Sequence, residues 1–180
     1  MAGTEITCRV TPNDGDTDGT FMQVSTIVQN TAPVVDSVTL SPSTVYTNDT
    51  ITATAVLSDV DTSQSVTATF DWYVEGSLVQ SGTDNTLDGT LYFNRDESVY
   101  VEVTPNDGVT DGTPVQSSAL VVSNTPPVLN SVVVTPDPAV EGTDDLTCDV
   151  TGSDVDGDAI VYTYEWSDST VVQQTMVEVS

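Results

Sequence analysis

Two short runs, Asp59-Val60-Asp61 and Asp154-Val155-Asp156-Gly157-Asp158, set carboxylates at alternate positions. A third set of acids follows the phrase Thr-Pro-Asn-Asp-Gly, which occurs at Thr11–Gly15 and again at Thr104–Gly108. It brings Asn13, Asp14, Asp16 and Asp18 in the first copy, and Asn106, Asp107 and Asp111 in the second. Carboxylate and amide oxygens are hard ligands. They suit Ca²⁺, which takes about six to eight of them from flexible loops. An all-oxygen set in a chain with no His argues against Zn²⁺ or copper. Asp154–Asp158 is not an EF-hand, because it lacks the later bidentate Glu and the flanking helices. The same side chains have a second use, since Asp and Asn bond their own backbone and close turns. Catalysis finds no support. No nucleophile stands beside a base, and an acid–base pair needs one carboxylate in an apolar pocket to raise its pKa. The expectation is a protein that is not an enzyme.

Composition narrows the partners. Of 180 residues, 28 are acidic and 2 basic, for a net charge of −26. Such a surface repels phosphate, so nucleic acid is excluded as a partner. No stretch is long and apolar enough to insert directly into a membrane. A divalent cation or a basic partner is the natural counterpart. Val, Ile and Thr are abundant, so this is not a disordered acidic tail. Asn48-Asp49-Thr50 is a glycosylation sequon. Met1-Ala2-Gly3 reads as a start added to an internal piece of a longer protein.

The elements that must position these residues repeat along the chain. Asn30-Thr-Ala-Pro-Val returns as Asn124-Thr-Pro-Pro-Val, and Asp71-Trp72 as Glu165-Trp166, each 94 residues on. Ser58–Asp61 matches Ser153–Asp156 at a step of 95, and Thr11 matches Thr104 at 93. Steps that drift by one residue indicate single insertions in loops of one repeating unit. Within the unit, β-branched runs with period two alternate with Asp-Gly, Asn-Asp and Pro punctuation. Strands are expected near 35–40, 51–57, 66–74, 78, 86–93, 99–104 and 115–122. That many short strands describe a β-sandwich. Ile51, Ala53, Ala55, Phe70, Trp72, Val74, Val99, Val101 and Val103 are its expected core.

The register reads residues 30–123 as one complete sandwich. Residues 1–29 read as the last two strands of a preceding unit, and residues 124–180 as the first three strands, and a little more, of a following one. Cys8 aligns with Val101, and Cys148 with Ala53, on two strands that flank the Trp strand.

These residues resemble a known class of modules: the immunoglobulin-like, PKD-like and cadherin-like tandem repeats of very large bacterial and archaeal surface proteins. The shared features are Asn-Thr-x-Pro-Val at the junction, Ser-Pro-Ser or Thr-Pro-Asp-Pro after the first strand, and Leu-Thr-Cys on the second. Ser-Asp-Val-Asp-Gly-Asp follows, then a Trp, then Val-Thr-Pro-Asn-Asp-Gly with a second Asp-Gly-Thr. The implied fold is all-β: tandem immunoglobulin-like β-sandwich repeats, one complete domain flanked by two complementary half-domains. Cys on facing strands with Trp between them is similar to the immunoglobulin disulfide pin. A Cys8–Cys148 disulfide is therefore expected, between subunits or between adjacent repeats, and with it an oxidising, extracellular location at the cell surface. Two unrelated thiols are the alternative.

In such a sandwich the Asp-Val-Asp loop and the Asn-Asp-Gly loop emerge at the end where the preceding linker enters. Asn30, Asp59, Asp61, Asn106, Asp107 and Asp111 are thus expected to converge at one junction, and Asn124, Asp154, Asp156 and Asp158 at the next. Asn13, Asp14 and Asp18 form the equivalent loop of the N-terminal part. Thr62-Ser63 stands where the second run has its third Asp, which places the fuller Ca²⁺ set on Asp154–Asp158. The implied role is a structural segment of an extracellular fibre or adhesin stalk, with Ca²⁺ stiffening its junctions. The two half-domains invite head-to-tail assembly of the chain with itself by strand complementation. The alternative is a glycan- or receptor-binding module, for which Tyr46, Tyr73 and Tyr92 are the aromatic candidates, Trp72 and Trp166 being assigned to cores.

Overall fold

The computed structural model describes residues 2–167 and 172–179, the last stretch by its backbone. Residues 168–171 and 180 belong to the expected C-terminal half-domain and lie outside the described residues, as does Met1. Strands make up 52% of the chain and helix 2%, which makes it all-β, with antiparallel sheets consistent with a β-sandwich. In chain order the elements are β1 (Glu5–Val10), β2 (Met22–Ile27), β3 (Val34–Ser41), β4 (Thr50–Ser58), β5 (Thr67–Val74), β6 (Ser77–Gly82) and β7 (Thr86–Asp88). Then come α1 (Gly89–Tyr92), β8 (Ser98–Asn106), β9 (Val115–Gln116), β10 (Leu120–Val121), β11 (Val128–Thr135), β12 (Thr147–Ser153), β13 (Val161–Ser167) and β14 (Val172–Val179). They fall into two compact units.

The first unit comprises Met1–Ser43, Thr50–Leu87 and Ser98–Leu120. One of its sheets has the order β3-β4-β7 and the other β10-β8-β5-β6, with β9 also on β8. Period-two patterning decides which side chains are buried. Along β8, Val99, Val101, Val103 and Pro105 are buried while Tyr100, Glu102 and Thr104 alternate outward. Ile51 and Ala53 of β4, Trp72 and Val74 of β5, Leu87 of β7 and Val35 of β3 complete the apolar core. Each large side chain so buried contributes about 1.5–3 kcal/mol. Ala55 and Phe70, expected in the same core, are only half-buried. The Trp72 indole keeps its N–H satisfied at the Asp84 carbonyl, 3.4 Å away. Glu75 and Gly76 both take positive φ between β5 and β6, the two-residue turn whose twist matches a tight hairpin. β1 and β2 form a separate two-stranded hairpin in this unit, exposed on both faces.

The second unit comprises Thr44–Asp49, Asp88–Glu97 and Val121–Ser180. Val45, Phe93 and Val122 are fully buried in it, and Ser123 N–H donates to Val45 O at 2.7 Å. β11 pairs with β12 and β13 with β14, both antiparallel. These pairs reproduce the internal register of the first unit. Leu40 opposes Ala53 as Val134 opposes Cys148, and each strand pair carries its irregularity at the matching place, Val35/Ser37 and Leu129/Ser131. Trp72 opposes Gln80 as Trp166 opposes Gln174.

Two expected strands and the expected burial of Trp166 also need correction. The strand expected over 86–93 stops at Asp88, because the Asp88 carboxylate accepts from Thr90 N–H (2.9 Å) and caps α1. Gly89 permits the turn: a Cβ there would lie 2.6 Å from the Phe93 ring and 2.7 Å from the Asp49 carbonyl. The strand expected over 115–122 is broken into β9 and β10. Between them, buried Ser117 pairs with Val101 through its backbone N–H (2.9 Å) and accepts the Val101 N–H on its hydroxyl (3.2 Å). Trp166, unlike Trp72, is only half-buried and lines an open groove. Both Cys8, exposed, and Cys148, half-buried, are free thiols in the single chain.

Trp72→Ala should lower unfolding stability by about 3–5 kcal/mol in chemical denaturation, the usual cost of emptying a large aromatic site. A loss below about 1 kcal/mol would mean that the indole contributes little to the core.

Candidate functional site

The acidic loops are built twice on one plan. In the first copy, Asn13 donates from its amide to Asp18 (2.7 Å) and accepts Gly15 N–H (2.6 Å), while Asp14 Oδ1 accepts Asp16 and Thr17 N–H (3.0 and 2.9 Å). In the second copy, Asn106 donates to Asp111 (2.6 Å) and accepts Gly108 N–H (2.7 Å), while Asp107 Oδ1 accepts Val109 and Thr110 N–H (2.8 and 2.7 Å). Gly19 and Gly112 N–H close the two loops on Pro12 and Pro105 carbonyls. The phrase Thr-Pro-Asn-Asp-Gly therefore encodes a turn whose acids are used on its own backbone. Gly112 has a further constraint: a Cβ would sit 1.9 Å from the Pro33 carbonyl oxygen, so only Gly lets this loop meet the linker.

The Asp-Val-Asp loops are also built alike. The first carboxylate accepts the N–H of the second Asp: Asp59 from Asp61 at 2.7 Å, Asp154 from Asp156 at 2.8 Å. The second carboxylate reaches the linker. Asp61 Oδ2 accepts Thr31 N–H (2.9 Å) and Asp156 Oδ2 accepts Thr125 N–H (2.5 Å). In the first unit the linker amide of Asn30 donates to Asp107 Oδ2 (2.8 Å) and accepts from Gln64 Nε2 (2.8 Å). In the second unit Asn124 Oδ1 accepts from the Arg95 guanidinium (2.7 Å), which also pairs with Asp158. Thr47 donates its hydroxyl to Asp156.

Of the residues expected to converge in the first unit, Asn30, Asp59, Asp61 and Asp107 form one hydrogen-bonded cluster. Asn106 and Asp111 pair with each other across their loop. In the second unit Asn124, Asp156 and Asp158 join through Thr125 and Arg95, and Asp154 through Asp156. Asn13, Asp14 and Asp18 are exposed in the hairpin loop. Among the described residues, no three Asp, Glu or Cys side chains gather closely enough to hold a metal ion. Two oxygens of the first cluster, Asp59 Oδ2 and Gln64 Oε1, are nevertheless buried without a hydrogen-bond partner. Asn48 is exposed at a turn position with φ of 73°.

Four participants escaped the sequence reading: Gln64, Arg95, Tyr100 and Thr47, the hydroxyl donor to Asp156. Gln64 and Arg95 sit in segments read as plain loop, although Arg95 is one of only 2 cations and could have been singled out on that ground. Tyr100 stacks on Tyr73 on the outer face of β8 and β5, with ring centroids 4.9 Å apart. The cross-strand register that pairs them follows from the alternation of Val99, Val101 and Val103.

The electrostatics follow the bonds. Asp107 is held below the ordinary carboxylate range by the Asn30 amide and by Thr110 N–H, against the opposing effect of burial. Asp156 is lowered by the Thr47 hydroxyl and Thr125 N–H. Arg95 is raised by its hydrogen bond to Asp158 and by that carboxylate's charge. No family model matches this chain, and no curated protein matches it either.

Both aspartates are depressed from 3.8 in the fold. Their stabilisation is thus fully present above the unfolded value and is lost as pH falls through the lower folded values. Equilibrium unfolding should show stability dropping below about pH 4, with a shallower drop in Asp107→Asn and Asp156→Asn. An unchanged acid limb in both variants would show that these carboxylates gain nothing from their amide partners.

Proposed function

We propose that this chain is a structural segment of an extracellular fibre or adhesin stalk, built from immunoglobulin-like sandwich repeats. The observation that carries the reading is the linker clasp seen twice. In each unit the second Asp of the Asp-Val-Asp loop holds the backbone N–H of the Thr that follows the linker Asn. The linker Asn is itself tied down, by Asp107 and Gln64 in one unit and by Arg95 in the other. A clasp made of loop carboxylate and linker amide stiffens a joint and binds no substrate. Repetition of that clasp is what a spacer needs and what an enzyme has no use for. The net charge of −26 suits a solvated surface structure.

Ca²⁺ belongs to this reading as a stiffener of the first clasp. Asp59 Oδ2 and Gln64 Oε1 are buried acceptors there, beside Asp61 and Asn30, and a hard cation satisfies such oxygens. In the second unit Arg95 already supplies a positive charge, on Asp158 and Asn124. This reading favours the first clasp for Ca²⁺, where the sequence expectation favoured Asp154–Asp158. A second reading, as a glycan-binding module, rests on the stacked Tyr73–Tyr100 pair on the outer sheet face, flanked by Asp71 and Glu102.

Millimolar Ca²⁺ should raise the melting temperature by mass action on the folded state, and Asp59→Asn should abolish the rise. A melt indifferent to both Ca²⁺ and chelator leaves the clasp without a metal. Antibodies to the chain should label intact, unpermeabilised cells of its source; labelling confined to permeabilised cells would overturn the stalk reading.

A further inference from the structure

Resting on the repeat reading above, one pairing can be transferred within the chain from where it is made to where it is open. In the first unit β5 is flanked on both edges, by β6 and by β8. In the second unit β13 is paired to β14 in the register of β5 with β6, and among the described residues its other edge has no strand. The open edge is the one that β5 gives to β8. The β1–β2 hairpin has the complementary deficit. Arg9 opposes Gln23 and Val10 opposes Met22, as Glu102 opposes Gln116 and Val103 opposes Val115 on β8 and β9. β1 therefore has its outer partner, and its free edge is the one that β8 gives to β5.

The faces match as well as the edges. One face of the hairpin carries Ile6, Cys8 and Val10 with Met22 and Val24 directly across, all exposed. The other face carries Thr7, Arg9, Gln23 and Ser25. In the second unit an open apolar groove of about 310 Å³ lies between the β11–β12 and β13–β14 pairs, lined by Leu129, Val132, Cys148, Val150, Tyr162 and Trp166 among others. A two-stranded sheet with one bare apolar face is marginal in water, and an unpaired edge is a template for another strand.

We propose that β1 of one copy of this chain adds to the free edge of β13 in a second copy, laying the Ile6–Cys8–Val10 face of the hairpin over that groove. The register comes from the β5–β8 pairing, where Trp72 opposes Val101, Asp71 opposes Glu102 and Phe70 opposes Val103. Carried over by the repeat steps, Trp166 opposes Cys8, Glu165 opposes Arg9 and Tyr164 opposes Val10. The middle pair selects the occupant. Within the first unit this position sets two acids against each other, Asp71 and Glu102. Between copies it sets Glu165 against Arg9, one of only 2 cations in the chain. Opposite charges directly across a strand pair stabilise it, and like charges do the reverse. Arg9 and Glu165 are both exposed in the single chain, Arg9 lying over the Phe21 ring at 3.6 Å. The contact is heterologous, hairpin to groove, so it leaves a hairpin and a groove free at the two ends and builds an open chain of copies.

Sedimentation velocity and light scattering across a concentration series, at physiological ionic strength, test this directly. Average mass should climb with concentration and pass beyond a dimer. Arg9→Glu and Glu165→Arg, each alone, should weaken association about tenfold or more, and the double variant should restore it. Both side chains are exposed, and an unchanged melting temperature confirms that each variant folds. A monomer at every concentration would overturn the proposal. So would association that both single reversals leave untouched, or that the double variant fails to recover, since the copies would then meet elsewhere. A monomeric chain that still labels the cell surface removes this inference and leaves the stalk reading standing.

Discussion

A chain with 28 acids and 2 cations cannot neutralise its carboxylates by ion pairing. The structure depends on another way of stabilising them, acceptance of backbone N–H groups. Asp14, Asp59, Asp61, Asp84, Asp88, Asp107, Asp154 and Asp156 all take N–H donors from turns, a helix start or a linker. Each such bond to an ionised acceptor is about twice as strong as a neutral one. It also satisfies a loop amide that would otherwise need water. Acidity and architecture are therefore one property here. Where a strand ends, an Asp is placed to receive the N–H groups that the sheet no longer pairs.

The same arrangement explains why the clasp is directional. Asp59 and Asp154 close their own loops, which aims Asp61 and Asp156 outward at the linker. The first carboxylate positions and the second captures. Removing the first would leave the second free to rotate, and removing the second would free Thr31 or Thr125 N–H. The two residues do different work although their chemistry is identical, and loop geometry alone separates them.

Much of this was legible from sequence because it is local. Period two in Val99–Val103 and Ile51–Ala53 located the buried faces, and the repeat steps located the matching loops. The departures have local causes of another kind. Asp88 caps a turn of helix inside an apolar run, and a pattern of Leu91, Tyr92 and Phe93 cannot be told from a strand by hydrophobicity. Ser117 breaks the strand expected over 115–122 because its hydroxyl and N–H both serve Val101. Gln64 and Arg95 joined the clusters through long side chains reaching across loops, and no spacing rule predicts that reach. Ca²⁺ was read from hard oxygens on loops expected to converge at one junction. Many of those oxygens accept N–H donors in the fold, which loop topology alone does not reveal.

Burial separates two sets of equivalent residues that sequence treats alike. Trp72, Ala53 and Val101 are fully buried, whereas Trp166 and Cys148 are half-buried and Cys8 is exposed. The hairpin registers do not account for the difference, since those around all six residues agree. Pairing is fixed by turns and by adjacent strands, so it forms without a complete sandwich. Burial needs two sheets face to face, and in the first unit that second layer is present for Trp72. The apolar face of β1–β2 and the groove beside β13 thus have the local structure of a core without its coverage. Most of the stabilisation of a sandwich comes from that coverage and not from the ladders. A fold whose hairpins are paired while their apolar faces are uncovered has its largest remaining source of free energy at those faces, and a complementary apolar surface is what can draw on it.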